Sequence, residues 1–249
     1  MAQLTIVADK MAMSQTAAER ITSFVEMAVA SRGLATISLT GGDTPDLLYQ
    51  LLADAKRPWR GRIDWAHVHL YWGDEREVPP DHPQSNFGLA NRFLIQHVPV
   101  PPEQVHRMRG ELSASDAGPL YDALLRARRD QTSGSLFDVM LLGIGENAHI
   151  ASIFPNSALL ERSERLAAGV HVPEISQWRI TMTPQALLDS AAVIMIASGA
   201  SKAEAIAAAI ESPTDIARYP AQLLREAGER VEWIIDAAAA ARLRAAPRG

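Results

Sequence analysis

Short apolar runs alternate with helical patterns almost from one end of the chain to the other. Runs of strand type cover Leu4–Ala8, Leu34–Leu39, Val68–Trp72, Phe137–Leu142, Ala192–Ala197 and Val231–Ile235. Within them, Val139-Met-Leu-Leu142 and Val193-Ile-Met-Ile196 are apolar without a break, as strands covered on both faces require. Between the first two runs, Ile21, Phe24, Val25 and Ala28 fall on one helical face. Ser14 is placed to cap that helix and Gly33 to stop it. Strands alternating with helices predict an α/β fold, a doubly wound and mostly parallel sheet with helices on both faces. The middle is less regular: Pro79, Pro80, Pro83, Pro99, Pro101 and Pro102 bracket Ser85–His97, which reads as a capped helix. The Ala-rich stretch Ala237–Ala241 reads as a terminal helix. No linker or internal repeat divides the chain, so residues 1–249 read as one domain with a proline-rich insertion.

Composition narrows the class. A chain of 249 residues, 47% hydrophobic and 21% charged, is ordinary globular material that can bury a full core. The net charge of −5 comes without a block of like charge, which speaks against nucleic acid. The basic spots Arg57–Arg62 and Arg126–Arg129 read as solvated faces. Zero cysteines exclude disulfides, thiol nucleophiles and thiolate metal sites together. The first ten residues alternate apolar and polar positions, unlike a signal peptide, and Ala191–Ala197 is too short to cross a bilayer. The expectation is a cytoplasmic protein with no membrane partner.

In open α/β sheets a ligand lies beyond the carboxyl ends of the strands, so the loops there carry the candidate chemistry. Thr40-Gly41-Gly42-Asp43-Thr44-Pro45 precedes a helix, with Thr44 as its expected cap and Pro45 its first residue. Two glycines at a helix start let N–H groups converge on an anion; a tight turn without a ligand is the bland alternative. No Gly-Lys-Ser/Thr follows, so this is no nucleotide P-loop. After Val68–Trp72 come Asp74, Glu75, Arg76 and Glu77, then Ser85 and Asn86. Arg76 is suited to clamp a phosphate and Asp74 to hold a hydroxyl or a catalytic group; a surface ion cluster is the alternative. Ser85 has a second use as a helix cap.

Residues 143–148 match a dinucleotide pattern formally, but Pro155 interrupts the helix it would open and it comes too late for a first βα unit. A lone histidine is more often structural, but His149, at the sheet's carboxyl edge in that Gly-rich loop, is placed as a general base. Ser201 reads as a cap, and Lys202 in the first turn beyond it suits an anion at the same helix end or, blandly, solvent. His67 and His69 share a strand face with no third ligand nearby, which makes a metal a poor reading.

Five stretches in order, Leu39–Pro45, Tyr71–Arg76 with Val78-Pro79 and Ser85-Asn86, Leu142–Pro155, Arg179–Thr183 and Gly199–Lys202, resemble the 6-phosphogluconolactonase family. That family lies in a larger group with glucosamine-6-phosphate deaminase. The resemblance implies hydrolysis of 6-phosphogluconolactone to 6-phosphogluconate in the oxidative pentose phosphate route, without cofactor or metal. It implies that His149 activates water and Asp74 helps arrange the site. Arg76, Arg179, Lys202 and the loop Gly41, Gly42, Asp43 and Thr44 would hold the phosphate, with Ser85 and Asn86 beside the substrate. A phosphosugar lactone is thus the implied partner, and the chain a monomer or small homo-oligomer.

Three departures stand out. The family has Asp-Gly-His where this chain has Asn147-Ala148-His149, often Ser where it has Asp43, and Asp81–Ser85 resembles the deaminase branch. The altered pair puts Asn147 beside the base in place of a carboxylate. A deaminase-type isomerase is the first rival, but its Asp-Glu-Tyr stands as Asp74-Glu75-Arg76 here, and the carboxylate it uses after the histidine is missing. A phosphosugar-binding module without turnover is the second.

Overall fold

All six apolar runs form strands, and they lie side by side in one sheet. The computed structural model describes residues 2–132, 134–161 and 163–244. Its strands are β1 (Gln3–Val7), β2 (Ala35–Leu39), β3 (Val68–Trp72), β4 (Asp74–Arg76), β5 (Phe137–Leu142), β6 (Ala167–Val172), β7 (Gln177–Met182), β8 (Ser190–Ala197) and β9 (Val231–Asp236). The large sheet runs β1-β9-β8-β5-β2-β3 with every pairing parallel. The helices are α1 (Lys10–Arg32), α2 (Asp46–Ala53), α3 (Pro58–Arg62), α4 (Asn86–Phe93), α5 (Ala114–Asp130), α6 (Pro184–Leu188) and α7 (Ala203–Glu211).

Alternation along the central strands sorts the core into two halves. Val139, Leu141, Ile194 and Ile196 pack with Ile21 and Val25 of α1 and Leu48 and Leu52 of α2. Met140, Leu142, Val193 and Met195 point the other way, toward Tyr121 and Leu125 of α5 and Ile206 of α7. Helices therefore cover both faces, which is what unbroken apolar strands need. Each fully buried Leu or Ile is worth about 1.5–3 kcal/mol, well above an exposed ion pair. This double core, rather than the surface charges, holds the strand ends in place.

Some local expectations are corrected. Helix α1 is capped by Asp9, whose Oδ1 accepts from Ala12 N at 2.8 Å, while Ser14 is a buried residue inside the helix. The capping choice fell to the nearest acidic side chain preceding the first turn. Gly33 does end α1. Ala237–Ala241 forms turns, not a continuous helix: Asp236 caps a single turn, its Oδ1 accepting from Ala239 N at 2.8 Å and its carbonyl from Ala240 N at 3.0 Å, and no regular helix follows. Ser85 does start a helix, but α4 stops at Phe93 and continues only as a 3-10 turn at Ile95–His97.

A second, antiparallel sheet, β4-β7-β6, is not announced by the hydrophobic pattern. Gly73 hands the chain from one sheet to the other: its N–H donates to Leu39 O at 3.0 Å and its carbonyl accepts from Met182 N at 2.8 Å. The Asp74–Arg76 segment, expected as a loop, is thereby a strand at the mouth of the large sheet.

Candidate active site

A cleft of about 380 Å³ opens at the carboxyl ends of the parallel strands, where the loops after β2, β3, β5 and β8 converge. Its walls carry Gly41, Gly42, Asp43, Thr44, Asp74, Arg76, Asn86, His149, Arg179 and Lys202. Of the candidate residues, Ser85 and Asn147 do not line it.

The loop after β2 is fixed by its neighbours rather than by the expected cap. Pro45 occupies the capping position and no side chain caps α2, so Thr44 does not serve that role; the proline has no side-chain acceptor for the first-turn N–H groups. Tyr49 Oη donates to Thr40 O at 2.6 Å, and Lys10 Nζ donates to Asp43 O at 2.6 Å and Asp46 Oδ1 at 2.7 Å. The Asp43 side chain itself is exposed. Gly41 has to be glycine, because a Cβ there would stand 1.7 Å from Asn86 Oδ1.

Asn86 is the link to the next strand end. Its Nδ2 donates to Asp74 O at 2.9 Å and Asp74 Oδ1 at 3.1 Å, and Ser152 Oγ donates to Asp74 Oδ2 at 2.6 Å. The buried Asp74 carboxylate is thus aimed from two sides. Glu75 points away from the cleft and accepts from the backbone N–H groups of Arg76, Asn86 and Phe87 and from Ser85 Oγ. Burial pushes its carboxyl up, and those donors pull it back. Ser85 caps α4 by accepting from Gly88 N at 2.9 Å, so its hydroxyl is committed inside the fold. The acidic cluster after β3 therefore divides between one site residue, Asp74, and two braces, Glu75 and Glu77, the latter accepting from Ala114 N at 2.6 Å.

Arg76 and Arg179 sit opposite each other on β4 and β7. Arg76 Nη1 donates to Gln84 O at 2.8 Å, Arg179 Nη1 to Trp178 O at 3.0 Å, and Arg76 Nε is buried without a partner. Burial first, and then Arg76, hold the Arg179 guanidinium below its ordinary pKa.

His149 lies in the loop after β5. Asn147 Oδ1 is 3.3 Å from His149 N and 2.6 Å from His149 Nδ1. A backbone N–H only donates, so the shared atom is the amide oxygen and Nδ1 carries the hydrogen. Nε2 keeps its lone pair. The ring lies flat on Phe154, with centroids 4.0 Å apart, and over Gly145, where a Cβ would come within 2.0 Å of the imidazole. Burial pushes the imidazole down to about 4; Asp74 pulls it up, and Lys202, Arg76 and Arg179 press it lower. Ala148 adopts the left-handed backbone, φ 63°, that its position demands.

Lys202 follows β8 in a 3-10 turn at Ala200–Lys202 whose start is Gly199; Ser201 is exposed and caps nothing. Among the described residues the Lys202 ammonium has no hydrogen-bond or ion-pair partner. His67 pairs with Asp64 and His69 with His106, so the two do not converge. No group of three metal-ligating side chains occurs among the described residues. No described helix is long and apolar enough to cross a membrane.

Sequence reasoning missed Ser152, Phe154, Gly145 and Glu75 as supports of the site. Only Gly145, in a Gly-x-Gly stretch, carried a local signal.

The sequence profile of the glucosamine-6-phosphate isomerases/6-phosphogluconolactonase family matches residues 8–233. A 6-phosphogluconolactonase of Mycobacterium leprae is 37% identical over 97% of this chain and 98% of its own length. The crystal structure of 6-phosphogluconolactonase from Leishmania guyanensis superposes with a TM-score of 0.81 at 26% identity, covering 96% of this chain and 97% of the other. A monomeric glucosamine-6-phosphate deaminase superposes with a TM-score of 0.82 at 22% identity, covering 96% and 99%. The architecture alone therefore does not choose between the two chemistries.

Proposed function

This chain belongs to the glucosamine-6-phosphate isomerase/6-phosphogluconolactonase family, and from that premise we infer that it hydrolyses 6-phospho-D-glucono-1,5-lactone to 6-phosphogluconate. It is an enzyme of the oxidative pentose phosphate route. The observation that carries the site assignment is one unprotonated imidazole nitrogen in a cleft walled by Arg76, Arg179 and Lys202. In this reading residues 1–249 work as a single domain in the cytoplasm, as a monomer or small homo-oligomer.

The three cations and the N–H groups of the Gly41-Gly42 turn hold the phosphate dianion, leaving the lactone carbonyl near His149. His149 Nε2 takes a proton from water as the water oxygen bonds to C1. The tetrahedral intermediate collapses by breaking the bond from C1 to the ring oxygen. The imidazolium returns its proton to that oxygen, which becomes the C5 hydroxyl, and the new acid ionises. Asn147 keeps Nδ1–H oriented throughout, much as Asn does in Cys-His-Asn proteases. Asp74, held by Asn86 and Ser152, supplies the negative charge that partly stabilises the imidazolium. An activated ester asks little more of its catalyst than a positioned base. Against the deaminase alternative, Ser152 spends its hydroxyl on Asp74, and His149 is followed by Ser152-Ile-Phe-Pro155 without a carboxylate.

Freshly prepared 6-phosphogluconolactone, followed by acid release or by NADP-coupled oxidation of the product, tests the reading. Turnover well above the spontaneous rate, lost in His149→Ala, supports it. Hydrolysis no faster than background would sink it, and so would equal rates with unphosphorylated gluconolactone.

A further inference from the structure

Strand β9 ends in Asp236, a carboxylate with no place in the mechanism above and only 5% exposed. All its acceptor capacity is spent on two loops. Ser198 Oγ donates to Oδ2, Gly199 N lies 3.1 Å from both carboxylate oxygens, and Ala239 N donates to Oδ1 at 2.8 Å. The first two donors belong to the segment that runs from β8 to Lys202. Gly199 has φ 96° and ψ 151°, a conformation that side-chain-bearing residues rarely adopt. Its carbonyl accepts from Lys202 N at 3.1 Å and closes the 3-10 turn. The direction in which the chain leaves β8 is therefore set at Gly199, and Gly199 is held by Asp236.

We propose that Asp236 is a positioning residue for Lys202, fixing the Ser198-Gly199 turn so that the ammonium reaches the phosphate of the substrate. The argument rests on the reading of Lys202 as a phosphate contact. Lys202 has a long, flexible stem and no partner of its own among the described residues, so its reach into the cleft depends on where its backbone is anchored. A buried carboxylate bonded to a hydroxyl and two N–H groups is a firm anchor, since charge-assisted hydrogen bonds are about twice as strong as neutral ones. The neighbouring strands β8 and β9 are thereby tied at the one edge where the site needs them.

The test compares kcat/KM for 6-phosphogluconolactone with that for unphosphorylated gluconolactone in Lys202→Ala, Asp236→Ala, Ser198→Ala and the double variant Asp236→Ala/Lys202→Ala. Asp236→Ala should lower the phosphorylated-over-unphosphorylated ratio about tenfold, mainly through KM, the size of one hydrogen bond to a charged group. Ser198→Ala removes one donor only, keeps the fold, and should move the ratio the same way by less. In the double variant the ratio should be no lower than in Lys202→Ala alone, because the anchor has nothing left to aim. Equal losses on both substrates in Asp236→Ala, with no change of ratio in Ser198→Ala, would overturn the role and leave Asp236 a structural residue. Additive losses in the double variant would overturn it too. A Lys202→Ala enzyme with the parent ratio would overturn the phosphate reading itself, and this role with it.

Discussion

Arg76 and Arg179 stand directly opposite one another in the antiparallel register of β4 and β7, so two guanidinium groups share one face of a short strand pair. Like charges placed so are destabilising. Their side-chain bonds go to the carbonyls of Gln84 and Trp178, and no carboxylate pairs with either among the described residues. On the phosphate reading, a bound dianion would relieve that cost.

Added phosphate or 6-phosphogluconate should therefore raise the melting temperature, and Arg179→Ala should lose that increment without melting lower than the parent in its absence. Arg76→Ala or Lys202→Ala should cost about 1.5–3 kcal/mol in kcat/KM for the phosphorylated lactone. Calorimetric scans with and without ligand, beside steady-state kinetics, check both. An unliganded Arg179→Ala protein that melts well below the parent would mean the pair is a structural asset.

His149→Ala should lower kcat by roughly 10²–10⁴ with substrate binding nearly intact. Gly145→Ala offers a second route to the same loss, since its Cβ would come within 2.0 Å of the imidazole and displace the ring while leaving the histidine present. A Gly145→Ala enzyme with parental kcat would show that the ring does not need this cradle.

In the proposed mechanism the neutral imidazole is the active form, and burial pushes it down to about 4 in the free protein. Activity in kcat/KM should hold as pH falls through 6.5, where an unperturbed histidine would be half protonated, and drop only toward about 4. Asn147→Asp places a carboxylate against Nδ1–H and should move this limb upward while raising kcat. A pH–rate profile unchanged by that substitution would mean that residue 147 does not act on the base.

Away from the cleft, His69 Nδ1 lies 3.0 Å from His106 Nε2, and burial first and His69 next push His106 down to about 4. A folded-state pKa below the unfolded one means the unfolded chain binds the extra proton. Stability is then fully present above about 6.5 and is lost as pH falls toward about 4. His106→Gln should flatten the decline of melting temperature between those limits. The parent and variant declining in parallel would remove His106 as the cause.

Ala148 pays a steric penalty at φ 63° that glycine would not. Ala148→Gly should stabilise the protein by about 0.5–1 kcal/mol in denaturant unfolding, after allowing for the greater freedom of an unfolded glycine. Destabilisation would show that the buried methyl contributes more by packing than the backbone loses.

The large sheet was legible because its strands are unbroken apolar runs and its helices carry one-sided apolar faces. The small sheet was not: β4 reads Asp-Glu-Arg although its first two residues are buried, and β7 opens with the exposed Gln177 and Trp178, so neither shows an apolar strand pattern. Residues that line the cleft at the strand ends could be picked by type and place, as with His149 and Lys202. Their supports could not, because the bond from Ser152 to Asp74 spans 78 positions and that from Ser198 to Asp236 spans 38. The expected caps of α1 and α2 failed for a local reason, since Asp9 and Pro45 sit within a few residues of equally plausible choices and tertiary fit decides among them.

A cleft built from three cations and an uncharged imidazole also governs how the reaction ends. Ring opening adds a carboxylate, so the departing acid carries one more negative charge than the lactone that arrived. Cations that draw the lactone in hold the acid more firmly, and a histidine protonated at neutral pH would have been a fourth. Its low pKa and the fixed charge of Asp74 leave the site less adhesive to what it makes. Salt screens what attraction remains, so inhibition by the acid should weaken as ionic strength rises.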